Sequence, residues 1–166
     1  MILENVVGET LLRNNITLAI AESCTGGLLS HKLTEIHGIS KCLFETIVAY
    51  SNKSKTKRLG VSNKMIAKYG AVSREVAISM AKGVVKTTRA DIGLSTNGIA
   101  GPGGGSKEKP VGLVFIGLYD RNSNKCLVKR FIFFGNRSKI KELAANTALD
   151  ILKQHLTNRA RITNCC

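Results

Sequence analysis

The chain has 166 residues, 43% of them hydrophobic, and a net charge of +14. That length suits one domain able to bury roughly two thirds of its unfolded surface, and the composition excludes a disordered polyelectrolyte. No apolar run reaches the ~18 residues of a membrane span, and the start M-I-L-E-N-V-V-G-E-T, with an early acid and no basic segment, does not read as a signal peptide.

Residues 3–13 place Leu3, Val6, Val7, Thr10 and Leu11 at helical spacing. Residues 16–21 form a continuous apolar run, which predicts a buried strand. A helix is expected from Thr25 to Ile36, opened by Gly26-Gly27 and closed by Gly38. The β-branched and aromatic stretch 43–50 predicts a second strand. A short basic helix at 52–59 ends at Gly60, and another at 62–69 starts from Ser62. Ser73 to Ala90 is the clearest helix, with Val76, Met80, Val84 and Val85 on one side. A strand at 91–96 leads into the loop 97–110. Strands at 111–119 and 125–134 flank the turn D-R-N-S-N, and Ser138 to Leu156 is a last amphipathic helix. Helices set between strands predict an α/β fold, and the late hairpin predicts a mixed sheet. The final residues are polar and are read as a frayed tail.

The five cysteines are odd in number and form no C-x-x-C, which fits a reducing cytoplasm. The histidines His31, His37 and His155 are scattered, so no protein-built metal site is expected. The positive charge raises the question of nucleic acid. However, the basic residues are dispersed, with only Lys53–Arg58 dense. The three tyrosines and five phenylalanines are not interleaved with that run as a stacking platform. A local positive field suits a small anionic substrate better.

Four stretches can carry chemistry. In A-I-A-E-S-C-T-G-G, residues 19–27, a strand runs into a Gly-Gly turn and a helix, whose first N–H groups can stabilise an anion. Ser23 is the candidate nucleophile and Cys24 its rival, against the plainer reading of a helix N-cap. A serine needs a base. In Y-S-N-K-S-K-T-K-R-L-G, residues 50–60, Lys53, Lys55 and Lys57 compete for that role, or form a solvated face. The loop G-I-A-G-P-G-G-G, residues 98–105, lets backbone N–H groups approach a ligand but lacks the Walker ending. Arg137 in F-F-G-N-R can pair with a phosphate or stand as a surface arginine.

Taken in order, A-E-S-C-T-G-G at 21–27, A-Y-S-N at 49–52 with Lys55, G-A-V-S at 70–73, G-I-A-G-P-G-G at 98–104 and E-K-P-V-G at 108–112 form a set. The set resembles the CinA C-terminal domain family of competence-damage-inducible proteins, whose members include nicotinamide-nucleotide amidase. The resemblance covers residues 4–156 and is to the stand-alone form. It implies a three-layer α/β/α sandwich, one domain over 1–158, with 159–166 left as a disordered tail. It implies a cytoplasmic amidohydrolase that converts nicotinamide mononucleotide to nicotinate mononucleotide and ammonia. No cofactor and no metal are expected. A homo-oligomer is implied, a dimer favoured, with no nucleic-acid or membrane partner.

The resemblance also implies roles. Ser23 is the nucleophile, Lys55 its base by the spacing Y-S-N-x-x-K, and Tyr50 belongs to the same catalytic set. Cys24, Thr25, Gly26, Gly27, Asn97, Gly98, Gly101, Gly103, Gly104 and Arg137 surround the substrate. Backbone N–H groups near Thr25–Gly27 or in the 98–105 loop would hold an oxyanion, and Arg137 a phosphate. Two positions depart from the family pattern. Asn97 stands where Thr or Ser is usual, and Asn136 where an Asp precedes the arginine. The alternative reading, which Asn97 favours, is a pyridine-nucleotide or phosphate-binding module without turnover.

Overall fold

Side-chain alternation along the strands decides which helices cover which face. In the computed structural model, which describes residues 2–163, the first strand β1 (Leu18–Glu22) sends Leu18 and Ile20 one way and Ala19 and Ala21 the other. The bulky side packs against Val7 and Leu11 of α1 (Leu3–Asn14) and Leu29 and Leu33 of α2 (Leu28–Thr34). Ile140, Ala144, Ala148 and Leu152 of α6 (Arg137–Thr163) complete that layer. The small side receives Val76, Met80 and Val84 of α5 (Arg74–Thr88). Leu59 of α3 (Asn52–Leu59) and Met65 of α4 (Asn63–Tyr69) extend the second core. Glycines let α5 approach. A Cβ on Gly93 of β3 (Ile92–Gly98) would lie 2.1 Å from Ala81 O, and one on Gly117 of β4 (Leu113–Asp120) 2.8 Å from Ala77 O.

The sheet order is β2-β1-β3-β4-β5, with β2 spanning Leu43–Val48 and β5 Lys125–Ile132. The β1–β2 and β1–β3 pairs are parallel, and β3–β4 and β4–β5 antiparallel. The mixed three-layer α/β/α sandwich is therefore present. β1 connects to β2 through α2, and β2 to β3 through α3, α4 and α5. Right-handed crossovers running in opposite directions put those helices on opposite faces. The direction changes between β1 and β3, and open α/β sheets bind ligands at the carboxyl ends beside such a point.

Several boundaries differ from the sequence reading, and three of the shifts bear on the site or the chain's end. α2 begins at Leu28 rather than Thr25, because Gly26 and Gly27 take positive φ values of 60° and 96°. β3 runs on through Asn97 and Gly98, which pair with Phe115 and Val114; these two residues belong to the strand and not to the loop. α6 runs to Thr163, so residues 159–163 continue the helix where a tail was expected. Cys165 and Cys166 lie outside the described residues.

At the pole opposite the carboxyl ends of the parallel strands, two carboxylates tie the chain together. Asp91 accepts from the Thr17 N–H (2.9 Å), the Thr17 hydroxyl (2.8 Å), Asn122 Nδ2 (3.2 Å) and Arg121 Nη2 (3.3 Å). Asp120 accepts from the Asn122 and Ser123 N–H groups and from His155 Nε2 at 2.8 Å, joining the β4–β5 turn to α6.

Candidate active site

The residues after β1, in α3 and at the end of β3 meet at one edge of the sheet. Ser51 caps α3 by accepting from the Ser54 N–H, and that start places Lys55 one turn in, facing the sheet. Its side chain is buried, at 4% exposure, and Nζ donates to Ser23 Oγ at 3.0 Å. Desolvation by burial pulls the Lys55 ammonium below its ordinary value of 10.5, against a small opposing influence of the Cys24 thiol. A lysine that loses its proton more readily, in contact with a serine hydroxyl, has the chemistry to serve as a base for that hydroxyl.

A cavity of about 260 Å³ opens on this pair. Of the residues expected at the site, it brings together Ser23, Cys24, Tyr50, Lys55, Asn97, Gly98, Gly101, Gly103, Gly104 and Arg137. The competing lysines Lys53 and Lys57 do not line it, and Asn52, Ala71 and Val72 join it. Cys24, the rival candidate, is buried next to Ser23. Burial, with the nearby Glu22 adding to it, pushes its thiol up to about 12.

Thr25, Gly26 and Gly27 have a different task from the one expected. The Gly26 N–H donates to Ser23 O at 3.2 Å, and the Gly27 N–H to Glu22 Oε2 at 2.8 Å. These donors are spent inside the turn and do not face a substrate. Thr25 Oγ1 bonds both Glu22 and Thr96 Oγ1, linking the turn to β3. The organiser is Glu22, a residue without an assigned role in the sequence reading. It is fully buried, and its two carboxylate oxygens also accept from the N–H groups of Leu29 and Ser30 and from the Ser30 hydroxyl. A carboxylate across the first turn of a helix suits the dipole and the unpaired N–H groups there. An acid followed by Gly-Gly and a helix was the available signal.

Tyr50 does not join the reacting pair. It is 59% exposed, and its hydroxyl accepts from Arg137 Nη2 at the cavity mouth. Arg137 Nη1 donates to Gly101 O at 2.6 Å, so one guanidinium spans from the β2–α3 turn to the glycine loop. Asn136 caps α6, its Oδ1 accepting from the Lys139 N–H at 2.9 Å. Asn and Asp are equivalent in that role, which accounts for the departure at this position.

Lys109 is the second residue the sequence reading left without a task. Its Nζ donates to Tyr69 O at 2.6 Å and Val72 O at 2.7 Å, fastening the segment after the glycine loop to the turn before α5. Asn97 Nδ2 takes Ala71 O at 2.7 Å in the same turn. The motif G-A-V-S thus offers carbonyls, and Ser73 closes it by capping α5 at the Val76 N–H. A lysine that clamps carbonyls looks like any surface lysine in a sequence.

The fold and the pair define a class: an α/β sandwich with a serine–lysine contact in a cavity at the switch point of its sheet. The chain belongs to the CinA family, whose C-terminal domain model matches residues 2–156. A Clostridium tetani protein named as competence-damage inducible is 54% identical over 154 residues, 93% of this chain and 37% of that relative. A CinA-like protein of Kosmotoga olearia is 49% identical over the same shares. The chain thus spans little more than a third of these curated relatives. The crystal structure of competence/damage inducible protein CihA from Agrobacterium tumefaciens aligns at a TM-score of 0.88 and 37% identity, covering 93% of this chain and 95% of that one.

Proposed function

We propose that this domain is an amidohydrolase that releases ammonia from the carboxamide of nicotinamide mononucleotide. The observation that carries the reading is the 3.0 Å contact between Lys55 Nζ and Ser23 Oγ, both side chains buried beside an open cavity. The substrate comes from the family resemblance, and the neighbouring cations suit its phosphate.

In this reading neutral Lys55 takes the Ser23 proton as Oγ attacks the carboxamide carbon. Backbone N–H groups of the 100–105 loop, and that of Cys24, hold the oxyanion; losing one such donor costs on the order of 3 kcal/mol of transition-state stabilisation. The Lys55 ammonium then protonates the amide nitrogen, the C–N bond breaks and ammonia leaves an acyl-serine. Water gives a proton to Lys55, attacks the acyl carbon and releases the acid, while the proton returns to Ser23 Oγ. The pyridinium charge makes the carbonyl more electrophilic. Arg137, held at the mouth by Tyr50 and Gly101, meets the phosphate.

The test is ammonia release from nicotinamide mononucleotide by the wild type, Ser23→Ala and Lys55→Ala. Turnover in the wild type that is lost in both variants is the expected result. No turnover, with the nucleotide still bound, overturns the amidase and leaves a binding module.

A further inference from the structure

Asn97 lies beside Ser23 on the neighbouring strand. Glu22 pairs with Thr96 in the parallel β1–β3 ladder, and the Ser23 N–H donates to Thr96 O at 2.9 Å. The ladder therefore continues one residue past β1 and sets Ser23 alongside Asn97, about 4.8 Å apart by strand spacing. Asn97 shares a sheet face with Ser95, whose hydroxyl reaches Ala77 O of α5 at 2.6 Å. That is also the face covered by α3, which brings Lys55.

The orientation of the Asn97 amide is fixed. Nδ2 donates to Ala71 O at 2.7 Å, and a carbonyl oxygen accepts only from a donor. Oδ1 is therefore the acceptor that remains. It is fully buried and has no hydrogen-bond partner among the described residues. Native proteins rarely leave a buried amide oxygen unpaired, and those that do call for an account. The cavity that adjoins Asn97 is the one that holds Ser23 and Lys55.

We propose that Asn97 Oδ1 accepts an N–H of the carboxamide presented to Ser23, and so selects an amide over a carbonyl compound of the same shape that has no N–H. The assignment rests on the amide-substrate reading above. It gives the departure from Thr or Ser at this position a purpose. An amide oxygen that cannot donate is a pure acceptor there, whereas a hydroxyl can turn either way.

The experiment uses Ser23→Ala, which holds a ligand without turnover, and two ligands of equal shape. One is nicotinamide mononucleotide; the other is its 3-acetylpyridine counterpart, with a methyl group in place of NH₂. Calorimetry should show the carboxamide bound at least ~10-fold more tightly, because a site built around a hydrogen bond rejects the analogue lacking it. Adding Asn97→Leu should close the gap to within about twofold, through loss of carboxamide affinity alone. Equal binding of the two ligands by Ser23→Ala, binding of neither, or a gap that survives Asn97→Leu overturns the assignment. If Asn97→Leu fails to fold, the comparison in Ser23→Ala decides by itself. A wild type that releases no ammonia, with the gap intact, overturns the amidase and leaves the role of Asn97 standing.

Discussion

The two poles of the sheet handle buried polar groups in opposite ways. At one pole Asp91 accepts four hydrogen bonds and Asp120 accepts from two N–H groups and a histidine. At the other pole Lys55 meets a serine hydroxyl rather than a carboxylate, and Asn97 Oδ1 meets no partner among the described residues. Saturated groups hold a chain in place and have nothing left to give. Groups buried short of partners weaken the fold and keep capacity for a ligand. The cavity beside Ser23 and Lys55 lies at this second pole.

Perturbations at the unsaturated pole should separate activity from stability most widely. On the proposed mechanism, Lys55→Met should lower ammonia release by about a thousandfold or more, yet raise the thermal midpoint by a few degrees as a buried amine gives way to an apolar chain. A midpoint that falls would break the comparison. Glu22 lies at the same pole but is saturated, so it should behave like the other one. Glu22→Gln faces an NH₂ towards donors and should cost about 3 kcal/mol, roughly 10 °C in the midpoint. Asp91→Asn should cost about 1–2 kcal/mol and leave kcat/KM for the amide unchanged.

The pH responses sharpen the contrast further. Burial holds Lys55 below 10.5, so from its lowered value up to 10.5 the unfolded chain carries a proton the folded chain lacks. Stability from this group rises with pH across that window, and the rate of ammonia release rises through the same lowered value. For Asp91, burial pushes the carboxyl up, but the Thr17 and Asn122 hydrogen bonds outweigh it and hold the group below its ordinary 3.8. Its contribution is present above the unfolded value and is lost as pH falls through the folded one. Thermal midpoints across pH should show the two trends separately. The smallest effect belongs to a pair outside both networks: breaking the exposed Lys139–Glu142 pair with Lys139→Ala should change stability by less than about 0.5 kcal/mol.

The sequence made the layers legible because apolar periodicity is local. The 3.6-residue stripe of α5 and the apolar run of β1 need no tertiary knowledge. Ser23, Lys55 and Arg137 were legible because motifs mark positions. Glu22 and Lys109 were not, since what they do depends on which N–H groups or carbonyls arrive around them from other segments. Tyr50 lines the cavity with Ser23 and Lys55, but its contact with Arg137 was not legible, because only the fold brings Arg137 across to it. Asn97 was assigned to a loop on the strength of its glycines, and antiparallel pairing with β4 drew it into the strand. That two-residue extension of the strand sets Asn97 level with Ser23.

The anchors of the glycine loop are cations seated on backbone carbonyls: Lys109 on Tyr69 O and Val72 O, Arg137 on Gly101 O. No carboxylate takes part in these contacts, so dissolved ions have no opposite charge to shield in them. Ionic strength therefore becomes a scalpel. Added salt weakens the pull of the basic surface on a phosphate, at a Debye length that shrinks from about 10 Å at 0.1 M to 3 Å at 1 M, while the loop keeps its seat. A nucleotide should lose affinity along such a titration much faster than the empty protein loses its shape.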